Sequence, residues 1–209
     1  MIYALSGIFG YLIGAIPFGL LLTKMAGYGD IRKIGSGNIG ATNVLRTGNK
    51  KLALLTVLLD ASKAGLAAVF AGKIAQLSGT EVSSVTASLT AGFCGVLGHN
   101  FPIWLKFKGG KGVASTFGFI LATCWPVAIC ALLIWLIMAF TFKYSSLSAI
   151  VAAACVPVLA YFMVPTSEYA IAYSLIAILV LVRHHANIKR LLKGEESKIK
   201  LKKEEKKGE

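Results

Sequence analysis

The sequence predicts an all-α, polytopic integral membrane bundle of seven transmembrane helices, with the N-terminus outside and the C-terminus in the cytoplasm. Three observations point there. Only 15% of the 209 residues are charged and 56% are hydrophobic, whereas a soluble domain averages about 25% charged. Runs such as "MIYALSGIFGYLIGAIPFGLLL" carry no charge at all and are long enough to cross a hydrocarbon core of roughly 30 Å. Finally, the positive charge is confined. Of the 22 lysines and arginines, all but Lys63 and Lys73 lie in the polar stretches 23–51, 98–112, 143–145 and 183–209.

Taken in order, the apolar spans fall near 2–22, 52–76, 82–98, 113–142, 146–164 and 167–183. The first has no basic leader and no convincing cleavage site, so it reads as a retained helix and not a signal peptide. The connections at 77–81 and 165–168 hold Glu81 and Glu168 and no basic residue. By the positive-inside rule the basic stretches are therefore cytoplasmic. Read as one helix, the run 113–142 would be roughly 45 Å long and would place Lys143 outside. Trp125-Pro126 lies near its middle, and proline interrupts a helix. Two helices, 113–124 and 127–142, return every basic stretch to the cytoplasm and bring the count to seven.

Within the spans, Asp60 is the one acidic residue set inside an apolar segment, a turn from Lys63. Intramembrane charges usually pair or line a polar cavity, so Asp60 is expected to pair with Lys63 or a basic loop residue rather than to act as a base. Cys94, Cys124, Cys130 and Cys155 sit in apolar segments without paired spacing and read as packing residues. Residues 1–193 read as one transmembrane domain. The lysine- and glutamate-rich segment 194–209 reads as a cytoplasmic tail, disordered or lying on anionic headgroups.

Three stretches on the cytoplasmic side carry the chemistry. The first, "GDIRKIGSGNIGATNVLRTGNKK" (29–51), has little side-chain bulk at its centre. Gly35, Gly37 and Gly40 permit positive φ and close backbone approach to a ligand. Ser36, Asn38, Thr42 and Asn43 add hydrogen-bond donors, and Arg46 offers a fork suited to phosphate. The second, "GHNFPIWLKFKGGKGVAS" (98–115), runs from Lys106, Lys108 and Lys111 through Gly109, Gly110 and Gly112 into an apolar helix, an arrangement that suits an anion at a helix N-terminus. It is not a Walker A loop, because Gly112 follows Lys111 where Ser or Thr is required. Neither a nucleotide nor nucleic acid is expected as a partner. The third, "VRHHANIKRLLKGEE" (182–196), ends the last span with His184, His185, Asn187 and Arg190. Part of that positive charge complements the helix dipole. The adjacent histidines go beyond it. No metal-ligand cluster is evident, and no cofactor is expected.

"SGNIGATNVLR" (36–46), "GHNFPIWLKFKGGKGVAS" (98–115) and "RHHANIKRLLKGEE" (183–196), in this order and spacing, resemble the three motifs of the bacterial membrane glycerol-3-phosphate acyltransferases that use acyl phosphate, the PlsY family. The resemblance covers essentially the whole chain. It implies transfer of a fatty acyl group from acyl phosphate to the 1-hydroxyl of glycerol 3-phosphate, giving lysophosphatidic acid and phosphate for phospholipid biosynthesis. The implied setting is the bacterial inner membrane, with the active site facing the cytoplasm and membrane lipid all round. An H-x-x-x-x-D motif of thioester-using acyltransferases is absent, since His99, His184 and His185 are followed five places on by Trp104, Lys189 and Arg190.

On that reading the expected catalytic residues are Ser36, Arg46, Lys106 and His185. Gly37, Asn38, Thr42, Asn43, Lys108, Gly109, Gly110, Lys111, Gly112, Asn187 and Arg190 are expected to bind substrate. The acyl-phosphate group is set against Ser36, Asn38, Lys106 and the 109–112 backbone. Glycerol phosphate is set against Arg46, Lys108, His185, Asn187 and Arg190. Direct attack is preferred to a covalent Ser36 intermediate, with His185 or a substrate phosphate oxygen as base. A transporter of phosphorylated solutes would place basic groups near mid-membrane, and here they cluster at one face.

Overall fold

The computed structural model describes residues 1–79 and 83–199; Glu81 and the tail residues 200–209 lie outside them. The described residues form ten α-helices and no strand: α1 Ile2–Gly14, α2 Phe18–Met25, a one-turn α3 Ala41–Val44, α4 Lys50–Leu77, α5 Ser84–Asn100, α6 Val113–Thr123, α7 Trp125–Phe142, α8 Ser145–Met163, α9 Ser167–Arg183 and α10 His185–Leu192. The stretch Ile2–Met25 and helices α4, α7 and α8 are each long and apolar enough to cross a membrane. The bent pair α9 and α10 is a fifth candidate, and α6 is a shorter apolar helix.

Several boundaries follow from local chemistry. Asn49 caps α4 by accepting from the Leu52 amide at 3.0 Å, and Ser83 caps α5 through the Thr86 amide at 3.3 Å. The break expected at Trp125-Pro126 occurs at Cys124, whose φ of −153° separates α6 from α7 and leaves Pro126 in the first turn of α7, where its missing N–H costs nothing. Two boundaries differ from the sequence reading. The first span is broken at residues 15–17 rather than continuous, because Pro17 cannot donate to the helix ladder. His99 and Asn100 belong to the buried end of α5, not to the loop that follows.

Small residues bring the inner helices into backbone contact. A side chain at Gly10 or Gly14 of α1 would collide with the backbone of Ala91 or Gly95 of α5. One at Gly118 of α6 would strike the Ala61 carbonyl of α4. Without water to drive helix association inside a bilayer, such close packing supplies much of the attraction. Phe119, Tyr173, Ile176 and Val127 fill the space between α6, α7 and α9, with the Phe119 and Tyr173 rings edge to face at 5.7 Å. The outer helix α7 instead exposes Leu133, Ile137 and Phe140, a face suited to lipid.

The bundle has two unlike ends. At one, the Tyr3 hydroxyl accepts from the Ser83 amide, which sets the N-terminus beside the start of α5. At the other end, the loop before α4, the loop between α5 and α6, and the α9–α10 corner meet.

Candidate active site

The first loop is folded around Asn43. Its buried amide donates to the carbonyls of Ile31 (2.9 Å), Ile34 (3.1 Å) and Asn38 (2.9 Å), while its oxygen accepts from the Ser36 amide at 3.1 Å. Asn43, expected to bind substrate, has its side chain occupied in building the loop. Gly35 and Gly37 adopt positive φ as expected, whereas Gly40 is extended at φ −80°. The result presents Ser36, Gly37 and Asn38 at the surface of a cavity of about 180 Å³.

The second loop completes the opposite wall. Lys106 has φ 52° and Phe107 φ 62°, so the chain reverses there. Lys106 and Lys108 are left exposed and outside the cavity lining, while Gly109 and Lys111 are part of it. Of the three lysines expected at the site, the one that lines this cavity is Lys111. The anion nest expected from the 109–112 backbone is also smaller than anticipated. The Gly109 and Gly110 amides already donate to the carbonyls of Asn100 (3.2 Å) and His99 (3.0 Å). Gly112, at φ 80°, starts α6 with its Cα against the Asn100 side-chain amide. That amide is buried and has no hydrogen-bond partner among the described residues.

The third wall is the corner at His184, where α10 leaves α9 at 56°. His185 and Arg183 line the cavity. The His185 Nδ1 donates to the Val182 carbonyl at 3.0 Å. In the neutral ring this leaves Nε2 with its lone pair, the tautomer a general base requires. Arg183 donates from Nε and Nη2 to the Gly110 carbonyl (3.1 and 3.0 Å) and from Nη2 to the Gly109 carbonyl (3.1 Å). Asn187 is buried, accepting from the Lys111 ammonium and donating to Glu196 at 2.7 Å, so it positions Lys111.

Glu196 gathers the remaining charge. It accepts from Ser146 (2.8 Å), Asn187 and Arg190 (2.6 Å). Burial alone would raise its pKa, but these hydrogen bonds outweigh burial and hold the carboxyl below the usual range. Burial pulls the Lys111 pKa down to about 8, with Arg190, Arg183 and Arg46 adding to the shift and Glu196 opposing it. Arg46 reaches across the loops to the Ser197 hydroxyl at 3.0 Å, and Thr42 Oγ1 lies 3.5 Å from Ser145 Oγ. Residues 195–199, read from sequence as part of a tail disordered or lying on headgroups, are packed across this end of the molecule; the Ile199 amide donates to the Lys143 carbonyl.

The sequence reading missed Arg183, Ser146 and Glu196. Each was visible only as something ordinary: a helix-end charge, a polar turn after Lys143, and one acid in a mixed-charge tail.

The glycerol-3-phosphate acyltransferase family profile matches residues 4–194. A glycerol-3-phosphate acyltransferase of Rhodospirillum rubrum is 53% identical over 204 residues, covering 97% of this chain and 94% of its own. One of Paramagnetospirillum magneticum is 54% identical over 191 residues, covering 91% and 90%. Two crystal structures of the integral membrane glycerol 3-phosphate acyltransferase PlsY (YgiH) superpose on this fold at 34% identity. The glycerol 3-phosphate form has a TM-score of 0.85 over 95% of this chain and 96% of its own, and the lysophosphatidic acid form has 0.82 over 94% of each. The chain belongs to the glycerol-3-phosphate acyltransferase family.

Proposed function

We propose that this acyltransferase takes its acyl group from acyl phosphate and places it on the 1-hydroxyl of glycerol 3-phosphate, releasing lysophosphatidic acid and phosphate. The observation that carries the reading is the cavity lined by Ser36, Asn38, Lys111, Arg183 and His185, drawn from two loops and the α9–α10 corner. An acyl phosphate is an activated mixed anhydride, so the enzyme's task is to screen two phosphoryl groups from each other and align the hydroxyl on the carbonyl carbon. Lys111, with Ser36 and Asn38, is assigned to the phosphoryl group of the donor. Arg46 and Thr42, which follow Ser36 and Asn38 in the same segment, are assigned to glycerol phosphate. The glycerol hydroxyl attacks the acyl carbon, and the bond from that carbon to the phosphate oxygen breaks. Phosphate leaves with the electron pair, and the hydroxyl proton passes to Nε2 of His185 or to a phosphate oxygen.

The same reading sets seven crossings in the membrane: the broken span α1–α2, then α4, α5, α6, α7, α8 and α9. They work as one catalytic unit in the bacterial inner membrane, with the N-terminus outside and the site and C-terminus in the cytoplasm. Support comes from the basic residues gathered at the end of the bundle that carries the cavity. Purified protein given glycerol 3-phosphate with palmitoyl phosphate, and separately with palmitoyl-CoA, tests the donor. Lysophosphatidic acid is expected from palmitoyl phosphate alone; product from palmitoyl-CoA at a comparable rate would contradict the assignment.

A further inference from the structure

A buried ion pair with a histidine beside it lies not in the cavity lining but behind it. Lys63 and Asp60 of α4 and His99 of α5 are each at most 4% exposed. The Lys63 ammonium has three protons and three acceptors, each at 2.9 Å: Asp60 Oδ1, His99 Nδ1 and the carbonyl of Ile16. That last carbonyl lies at the break before α2 and also accepts from the Phe18 amide at 3.1 Å. With the ammonium donating to it, His99 Nδ1 must be the accepting nitrogen, and the neutral ring carries its proton on Nε2. Asp60 Oδ1 lies farther from Nδ1, at 3.5 Å, in keeping with Lys63 rather than His99 being its donor.

The other edge of the His99 ring meets the second loop. Gly110 rests on it so closely that a Cβ would collide with Nε2. A Cβ at Gly109 would strike the His99 carbonyl and the Pro102 ring. From the opposite side the Arg183 guanidinium holds the carbonyls of both glycines and lies 5.0 Å from the Phe101 ring. The Gly109–Gly110 turn is thus clamped between an imidazole set by a buried ion pair and a bidentate arginine. The next residue is Lys111. The first turn of α6 is tied to the same place, since Ser115 donates to the Asp60 carbonyl at 2.8 Å.

We infer that Lys63, Asp60 and His99 are positioning residues which, together with Arg183, lock the Gly109–Gly110 turn and so hold Lys111 against the donor's phosphoryl group. The inference rests on the acyl-phosphate reading for what Lys111 binds. A buried ion pair contributes little net stability over an apolar replacement, while losing one partner alone strands a charge. The test therefore removes both charges together. The full chain in detergent is compared as wild type, the double variant Asp60→Asn/Lys63→Met, His99→Phe, and His99→Gln as a polar rescue. Hydrogen exchange over residues 106–112 reads the turn without reference to catalysis. Steady-state kinetics read the KM for palmitoyl phosphate and for glycerol 3-phosphate.

The expected result for the double variant and His99→Phe is exchange in that loop faster by about tenfold. The KM for palmitoyl phosphate rises by a similar factor while that for glycerol 3-phosphate stays within about twofold, the size of loss typical when a supporting residue behind a ligand is removed. His99→Gln recovers part of both effects. Lower thermal stability with unchanged exchange and an unchanged KM ratio would overturn the inference, leaving the network a packing feature. Faster exchange with no KM effect would overturn its link to the donor. If wild type fails to use palmitoyl phosphate, the functional reading falls, and the exchange data alone decide whether the network holds the turn.

Discussion

A lysine enclosed by protein, with three arginines around it, holds its proton less tightly than one in water. Lys111 is such a residue, with its pKa brought down to about 8. The ammonium is the form that binds a phosphoryl anion. It dominates below that value and is lost as pH rises through it. The kcat/KM for palmitoyl phosphate is therefore expected to fall by about tenfold per unit above roughly pH 8, because this ratio reports the free enzyme. The kcat limb lies higher, since a bound dianion strengthens the ammonium. In Lys111→Arg the limb disappears together with part of the activity, because guanidinium stays charged but has a different shape. A pH profile of the two proteins checks this. At this scale the sequence pointed to Ser36, Asn38, Gly109 and His185, whose types suit a phosphate site. It set Lys106 against the donor phosphate and Lys108 against glycerol phosphate, whereas Lys111 is the one of the three that lines the cavity. Three lysines within six positions look alike until the left-handed turn at 106–107 sends two of them outward.

Helix contacts decide how accurately the loops are carried. α6 approaches α4 where Gly118 faces the Ala61 carbonyl and, one turn further along α4, where a Cβ on Gly65 would crowd the Gly118 carbonyl at 2.7 Å. A larger side chain at Gly118 must push the helices apart. Gly118→Val is expected to lower stability by about 1–3 kcal/mol, the usual cost of overpacking, measured as thermal unfolding in detergent. The long helices and the break before α7 were legible from uncharged runs and one proline. The breaks at residues 15–17 and at His184 were less so. Pro17 was embedded in a run apolar on both sides, and the bend between α9 and α10 contains neither proline nor glycine. Residues 195–199 escaped the reading for a related reason: their order comes from distant partners, Arg46, Ser146 and Lys143, which no local pattern reveals.

Over the whole molecule, charge is sorted by height. The opposite end is anchored by Tyr3 and Ser83. The cavity end collects Arg46, Lys111, Arg183 and Arg190, with Glu196 paired to Arg190 among them. That asymmetry was readable from the placement of lysine and arginine, and it supports both the orientation and the attraction of two anionic substrates to one face. The convergence of the three stretches, separated by most of the chain, was expected from their like chemistry on one side; what linear reading could not supply was which of their side chains line the cavity of about 180 Å³. The kcat/KM for palmitoyl phosphate in Lys111→Met and Lys106→Met, measured beside wild type, tests that convergence most directly. The predicted result is a loss of about 100-fold or more for Lys111→Met, on the scale of removing a charged group that stabilises the transition state, with Lys106→Met within a few-fold of wild type. Comparable losses in both variants, or a loss confined to Lys106→Met, would contradict the site described.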